Sequence, residues 1–173
     1  MKSIFLVGFM GSGKTTIGKV VAHRLAFQHL DLDVYIENKY HKTVSQIFAE
    51  VGESEFRDLE RKALQEVIDF EQCVISTGGG TPCFFDNMQQ INSHGISFYL
   101  RVDSKVLADR LFYKGCKRPL LAGKNKEELL DYIEKTIAQR ESFYSEAKVV
   151  INANDTQVAI DQICDLLANL KIE

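Results

Sequence analysis

An excess of positive charge is absent from the sequence: Lys and Arg number 21, Asp and Glu number 24, and the formal net charge is -3. Proteins that bind nucleic acid need basic surfaces to neutralise phosphates, so this balance argues against DNA or RNA as a partner. Long apolar runs are absent too. The run at residues 4–7 is interrupted by Gly8 and is too short for a signal segment or a membrane span. We therefore expect a cytoplasmic protein that recognises small molecules.

Cysteine is sparse and unpatterned. The four cysteines form no C-x-x-C pair and have no histidine at zinc-ligand spacing, which argues against a disulfide framework or a structural metal. No segment repeats at a fixed period, and none is rich in Pro and Ser. Because 45% of the residues are hydrophobic, a chain of this length can bury one core, and we expect a single domain over residues 1–173.

Short apolar segments alternate with segments of helical periodicity. Strands are predicted at residues 4–7, 29–32, 73–75, 96–100 and 149–151. Helices are predicted between them, including one at 33–39, one that Gly52 ends and one from about 54 to Phe70. This alternation predicts a parallel sheet covered by helices on both faces, with ligands at the carboxyl ends of the strands. Residues 113–125 are basic, glycine-bracketed and aperiodic, which predicts a mobile loop.

The strongest motif lies at residues 8–15, where Gly-Phe-Met-Gly-Ser-Gly-Lys-Thr matches G-x-x-x-x-G-K-[ST] at every fixed position. It falls between a predicted strand and a predicted helix, an arrangement that points backbone N–H groups at an anion. Ser12, within the motif, is included among the expected nucleotide contacts. A glycine-rich turn with an exposed lysine would explain the glycines, but it would not explain the Lys-Thr pair.

The motif gives each position a role. Gly11 and Gly13 let the backbone wrap around the phosphates, and Lys14 supplies positive charge to the β and γ oxygens. The Thr15 hydroxyl is expected to bind Mg²⁺, and Thr16 to reach the α-phosphate. The motif does not separate a kinase from a GTPase switch or an NTP-driven machine. Because neither Asn-Lys pair of the chain is followed by the aspartate of N-K-x-D, ATP is favoured over GTP.

Two further segments offer groups for an acceptor. Asp31 and Asp33 follow the second predicted strand, and strand alternation would place both carboxylates on one face at the functional edge of the sheet. One carboxylate would then hold the waters of a metal ion and the other would accept a proton, although Asp33 acting as a helix cap explains the pair equally well. Gly78, Gly79 and Gly80 suit either close approach of a ligand or a flexible turn.

Two arginines have different contexts. Arg57 lies three residues before Glu60 and four after Glu53 on a predicted helix, a spacing that by itself favours a surface ion pair. Ile133, Ile137, Arg140 and Tyr144 follow helical spacing, so Arg140 interrupts an inward-facing apolar stripe. An arginine directed inward needs an anion, so Arg140 is the stronger candidate for a ligand contact.

Taken together, these residues closely resemble the shikimate kinase family over essentially the whole chain. The matching segments are G-F-M-G-S-G-K-T at 8–15, D-L-D at 31–33, G-E-S-E-F-R-D-L-E at 52–60, S-T-G-G-G at 76–80, R-P-L-L at 118–121 and R-E-S-F-Y-S-E-A at 140–147. The resemblance implies a three-layer α/β P-loop kinase fold whose five-stranded parallel sheet has the order 2-3-1-4-5. It also implies transfer of the γ-phosphoryl of ATP to the 3-hydroxyl of shikimate, with Mg²⁺, by a monomer.

The resemblance also implies roles on the acceptor side. Asp33, Arg57, Gly79 and Arg140 would hold shikimate, with both arginines on its carboxylate and Asp33 on the reacting hydroxyl. Gly78 and Gly80, on either side of Gly79, would belong to the same site. Glu60 would belong to it too, by orienting Arg57. The segment around residues 33–61 would form the helical part of this site, and Asp31 would be an outer partner of the metal ion.

On the nucleotide side, Arg118 would belong to a lid at 113–125 and act in catalysis with Lys14 and Asp33. Arg110 would stack on adenine, although a helix-surface arginine explains it as well, and Gln157 would contact the nucleotide from the loop at 152–157. Two alternatives stay open: an ATP-dependent switch on the same scaffold, and a kinase for another small polyol or sugar acid.

Overall fold

Five parallel strands form one sheet in the computed structural model, which describes residues 3–113 and 124–170. The strands are β1 (Ser3–Val7), β2 (Gln28–Asp31), β3 (Cys73–Ser76), β4 (Gly95–Arg101) and β5 (Val149–Asn152). Their order is β2-β3-β1-β4-β5 and every pairing is parallel, which confirms the order predicted above.

Helices connect successive strands. They are α1 (Lys14–Leu25), α2 (Leu32–Tyr40), α3 (Val44–Val67), α4 (Asn87–His94), α5 (Ser104–Tyr113), α6 (Lys126–Tyr144) and α7 (Thr156–Leu170), with a 3₁₀ turn at Thr81–Cys83. No helix in the described part of the chain is long and apolar enough to cross a membrane.

The central strand β1 divides the core in two, because successive side chains of a strand point to opposite faces. Ile4 and Leu6 pack into the cluster that holds α1, α5, α6 and α7, whereas Phe5 and Val7 pack into the cluster that holds α2, α3 and α4. All four side chains are fully buried. The result is a sheet between two helical layers, as expected for an uninterrupted apolar strand.

Most observed boundaries lie within a residue of the prediction, and the differences at β2 and α3 matter most for the site. Strand β2 ends at Asp31, and Leu32 already belongs to α2, because the Asp31 side chain caps that helix. Helix α3 is interrupted at Gly52 (φ 78°, ψ 176°), where a helix end was predicted, but it finishes at Val67 rather than at Phe70. Phe70 is 45% exposed, so its predicted place on the buried stripe is wrong.

Candidate active site

The P-loop joins the end of β1 to the start of α1. Gly11 and Gly13 have φ angles of 80° and 96°, which residues with a side chain rarely adopt, and Gly13 is the N-cap of the helix. The ammonium of Lys14 donates to the carbonyls of Gly8 at 2.8 Å and Phe9 at 2.9 Å, so its charge lies over the loop. The loop therefore presents backbone N–H groups, a helix N-terminus and an ammonium to one point, which suits a phosphate.

The first turn of α1 is tied to the end of β2. The Thr15 hydroxyl donates to Asp31 Oδ2 at 2.6 Å, while Asp31 Oδ1 accepts the backbone N–H groups of Asp33 at 3.1 Å and Val34 at 3.4 Å. The helix cap is thus Asp31 and not Asp33, which corrects the capping interpretation. The prediction from strand alternation is also wrong, because Asp33 lies inside α2 rather than on a strand. Thr16, the next residue of the turn, is exposed.

A metal ion at Thr15 and Asp31 would need additional oxygen ligands. Among the described residues, no group of three or more His, Cys, Asp or Glu side chains could hold a metal ion. Mg²⁺ in phosphoryl-transfer sites takes one or two protein ligands and completes its shell with phosphate oxygens and water. A hydroxyl and a carboxylate beside a phosphate-binding loop fit that requirement.

Behind the P-loop, α1 is held against the sheet by a serine and a histidine. Ser76 Oγ donates to the carbonyl of Lys14 at 3.0 Å and lies 3.0 Å from His29 Nε2. A Cβ at Gly18 would lie 2.8 Å from both the His29 ring and Ser76 Oγ, so any larger residue there would require these side chains to shift. Sequence reasoning missed these residues because no motif marks them.

Arg57 is 8% exposed and Glu60 only 1%, so the prediction of a surface ion pair is wrong. Arg57 Nη1 donates to Glu60 Oε2 at 2.8 Å, and Thr81 Oγ1 donates to the other Glu60 oxygen at 2.6 Å. The guanidinium carbon lies 4.2 Å from the ring centroid of Phe84, and Arg57 Nε is buried with no hydrogen-bond partner in the described structure. The negative charge of Glu60 offsets the cost of burying the Arg57 guanidinium. Arg57 Nε is left as a buried donor to which a ligand can bind.

Two of the three glycines after β3, Gly78 and Gly80, lie where a side chain would collide with neighbouring polar groups. A Cβ at Gly78 would lie 2.7 Å from Glu60 Oε1 and 2.9 Å from Asp33 Oδ1, and one at Gly80 would lie 2.6 Å from Arg57 Nη2. Gly78 and Gly80 are buried, so the flexible-turn interpretation is wrong for them. The bare backbone brings Asp33, Glu60 and Arg57 to one loop.

Gly79 lies between this loop and the P-loop. A Cβ there would lie 3.2 Å from the backbone nitrogen of Met10 and 3.8 Å from Arg140 Nη1. Its carbonyl accepts a hydrogen bond of 2.5 Å from the hydroxyl of Tyr144, which is fully buried. Arg140 thus reaches the same loop as Arg57, from a different helix.

The predicted nucleotide contacts are spread more widely. Arg110 donates from Nη2 to the carbonyls of Ala153 at 3.1 Å and Asn154 at 2.7 Å, so it fastens α5 to the loop after β5 rather than extending freely from the helix surface. Gln157 is exposed at the start of α7 and donates to Asp161 at 3.0 Å. Ser12 is buried, and its hydroxyl has no hydrogen-bond partner in the described structure.

Arg118 and most of the predicted lid lie outside the described residues. Of the residues at its two ends, Tyr113 is the last residue of α5 and Asn125 is the N-cap of α6, with a capping box formed with Glu128. The assignment of Arg118 therefore stays a prediction from the sequence.

A P-loop at the end of the central strand of a parallel sheet, with helices on both faces, defines an α/β protein of the P-loop nucleotide-binding class. The profile of the shikimate kinase family matches residues 10–170. The chain is 50% identical to the shikimate kinase of Phocaeicola vulgatus over 157 residues, which are 91% of this chain and 90% of that protein. This chain belongs to the shikimate kinase family.

Solved structures agree with this assignment. The crystal structure of shikimate kinase from Bacteroides thetaiotaomicron matches with a TM-score of 0.92 and 44% identity, over 96% of this chain and 98% of that one. Shikimate kinase from Acinetobacter baumannii in complex with shikimate matches with a TM-score of 0.89 and 32% identity, over 100% of this chain and 96% of that one. Both share the three-layer P-loop kinase fold described above.

Proposed function

We propose that this chain transfers the γ-phosphoryl group of ATP to the 3-hydroxyl of shikimate, giving shikimate 3-phosphate and ADP. The observation that carries the proposal is the convergence of Arg57, Arg140 and Asp33 on the Gly78–Gly80 loop, beside the P-loop. Two guanidinium groups suit a small carboxylate, and Asp33 suits a hydroxyl. An ATP-dependent switch has no use for this arrangement.

On the acceptor side, Arg57 and Arg140 would bind the carboxylate of shikimate by charge-assisted hydrogen bonds. Glu60, itself bound by Thr81, would hold the Arg57 guanidinium in place. Asp33 would orient the 3-hydroxyl and accept its proton as the oxygen attacks the γ-phosphorus and the bond to the β-phosphate oxygen breaks.

On the nucleotide side, the P-loop N–H groups and Lys14 would hold the phosphates and stabilise the charge on the transferred group. Thr15, with Asp31 behind it, would hold Mg²⁺, which neutralises phosphate charge when bound. Arg118, Arg110, Thr16 and Gln157 complete the proposed nucleotide contacts. Because ATP is an intracellular substrate, the proposal includes a cytoplasmic location, and it includes a monomeric state.

The test is ADP release measured with shikimate, with shikimate methyl ester, with gluconate and without any acceptor. We expect rapid release with shikimate, at least ten-fold slower release with the ester because the arginines lose their anion, and slow release otherwise. Fast hydrolysis without an acceptor would favour a switch, and preference for gluconate would favour a sugar-acid kinase. Either outcome would reject the proposed reaction.

A further inference from the structure

Tyr144 is the last residue of helix α6, and it lies beside Gly79, the glycine between the P-loop and Arg140. Its ring is fully buried and packs 5.1 Å from the ring of Tyr99, and its hydroxyl donates to the Gly79 carbonyl at 2.5 Å. Burial raises the pKa of Tyr144, so the hydroxyl stays protonated and able to donate throughout the neutral range. The Gly79 carbonyl is therefore fixed by a side chain outside its own loop.

Arg140 lies one helical turn before Tyr144, so the two side chains share a face of α6. Its guanidinium is near Gly79, with Nη1 3.8 Å from the place of a Cβ there. Within the described residues, Arg140 has no carboxylate at ion-pair distance. The adjacent carboxylate, Glu141, is engaged elsewhere, accepting from the Tyr99 hydroxyl at 2.7 Å and pairing with Arg101 at 3.2 Å.

We infer that Tyr144 is a positioning residue for the acceptor. It fixes the Gly79 carbonyl, and it helps to hold the Arg140 guanidinium against the Gly78–Gly80 loop. The inference rests on the proposed function, since the acceptor is the ligand of Arg140. Tyr99 has a different role, because its hydroxyl donates to Glu141 and not to the Gly79 loop.

The two tyrosines provide a matched pair of variants, because each loses one buried hydroxyl from the same ring pair. For Tyr144→Phe we expect the KM for shikimate to rise roughly 3- to 10-fold while the KM for ATP stays unchanged, as the loss of one neutral hydrogen bond would give. For Tyr99→Phe we expect a similar loss of thermal stability with a smaller change in the KM for shikimate. Combining Tyr144→Phe with Arg140→Ala should raise that KM by less than the product of the two single effects, because part of the Tyr144 effect passes through Arg140.

Equal shikimate KM values in the two single variants, with both melting lower than wild type, would overturn the inference and leave Tyr144 a purely structural residue. Fully additive effects in the double variant would also overturn it. Failure of the wild-type enzyme to phosphorylate shikimate is a different result, because it would reject the proposed function before any variant is compared.

Discussion

Gly80 and Arg57 are complementary in shape: a Cβ at Gly80 would lie 2.6 Å from Arg57 Nη2 and 2.7 Å from Nη1. The guanidinium occupies the space that any side chain at position 80 would need. An arginine that is 8% exposed can be accommodated beside this loop only because the loop is bare backbone at that point.

Replacing Gly80 with alanine should therefore displace Arg57 and weaken shikimate binding about ten-fold or more, the value of a charge-assisted hydrogen bond. ATP binding should change little. Calorimetric titration with each ligand measures both effects. Lys62→Ala is the control, because Lys62 is exposed on α3 and lies outside the proposed site. Normal shikimate affinity in Gly80→Ala would contradict the prediction.

Asp31 caps α2 and, in the proposed reaction, also supports Mg²⁺, and one substitution can separate the two roles. An asparagine at this position would still cap α2, because asparagine is as good an N-cap as aspartate, but it would carry no charge for the metal ion. For Asp31→Asn we expect little change in melting temperature and a rise of roughly 10- to 100-fold in the Mg²⁺ concentration that gives half-maximal activity. Asp31→Ala should lose about 1 kcal/mol of stability as well. An unchanged Mg²⁺ requirement in Asp31→Asn would remove Asp31 from the metal site.

Gly18 tests the packing of α1 against His29 and Ser76. Alanine favours a helix interior by about 1 kcal/mol over glycine, but its Cβ would lie 2.8 Å from both neighbours. We expect Gly18→Ala to destabilise the fold by about 1–3 kcal/mol, measured by denaturant unfolding. Lys19→Ala, at an exposed position of the same helix, should change stability by less than about 0.5 kcal/mol. A stabilised Gly18→Ala variant would show that the neighbours move aside.

Cys83 lies near Arg57 and Arg140, yet burial outweighs their charge and raises the pKa of its thiol to about 11. A raised thiol pKa keeps the proton on sulfur, so only about 0.1% of Cys83 should be thiolate at pH 8. Labelling of folded protein with iodoacetamide, resolved by peptide mass spectrometry, should be slow at pH 8 and should accelerate up to about pH 11. Rapid labelling of Cys83 at pH 8 would contradict the assigned burial.

The sheet and the P-loop were predictable from local patterns. A short apolar strand followed by G-x-x-x-x-G-K-[ST] predicts both the strand–loop–helix unit and its suitability for a phosphate, because the glycine conformations and the helix N-terminus are set within eight residues. The burial of Ile4 and Leu6 likewise followed from the uninterrupted apolar run at residues 4–7.

The features that the sequence did not predict depended on contacts between segments that are distant along the chain, or on where an element ends. Arg57 and Glu60 have the spacing of an exposed ion pair, and only the Gly78–Gly80 loop, far along the chain, buries them. Tyr144 could have been found as the last inward residue of its helix, but its bond to Gly79 has a sequence separation of 65 residues. Helix capping by Asp31 rather than Asp33 depended on where β2 ends, a boundary that periodicity places only to within a residue or two.

Gly79 lies between the P-loop and Arg140, with Met10 on one side and the arginine on the other. In the proposed reaction, the thickness of this backbone sets the distance between the attacking oxygen and the phosphorus. A misplacement of about 1 Å between reacting groups can reduce a rate about a hundred-fold. In the proposed reaction, the choice of acceptor therefore depends on the surrounding side chains, whereas the spacing of the two substrates depends on the Gly79 backbone, where every substitution adds atoms.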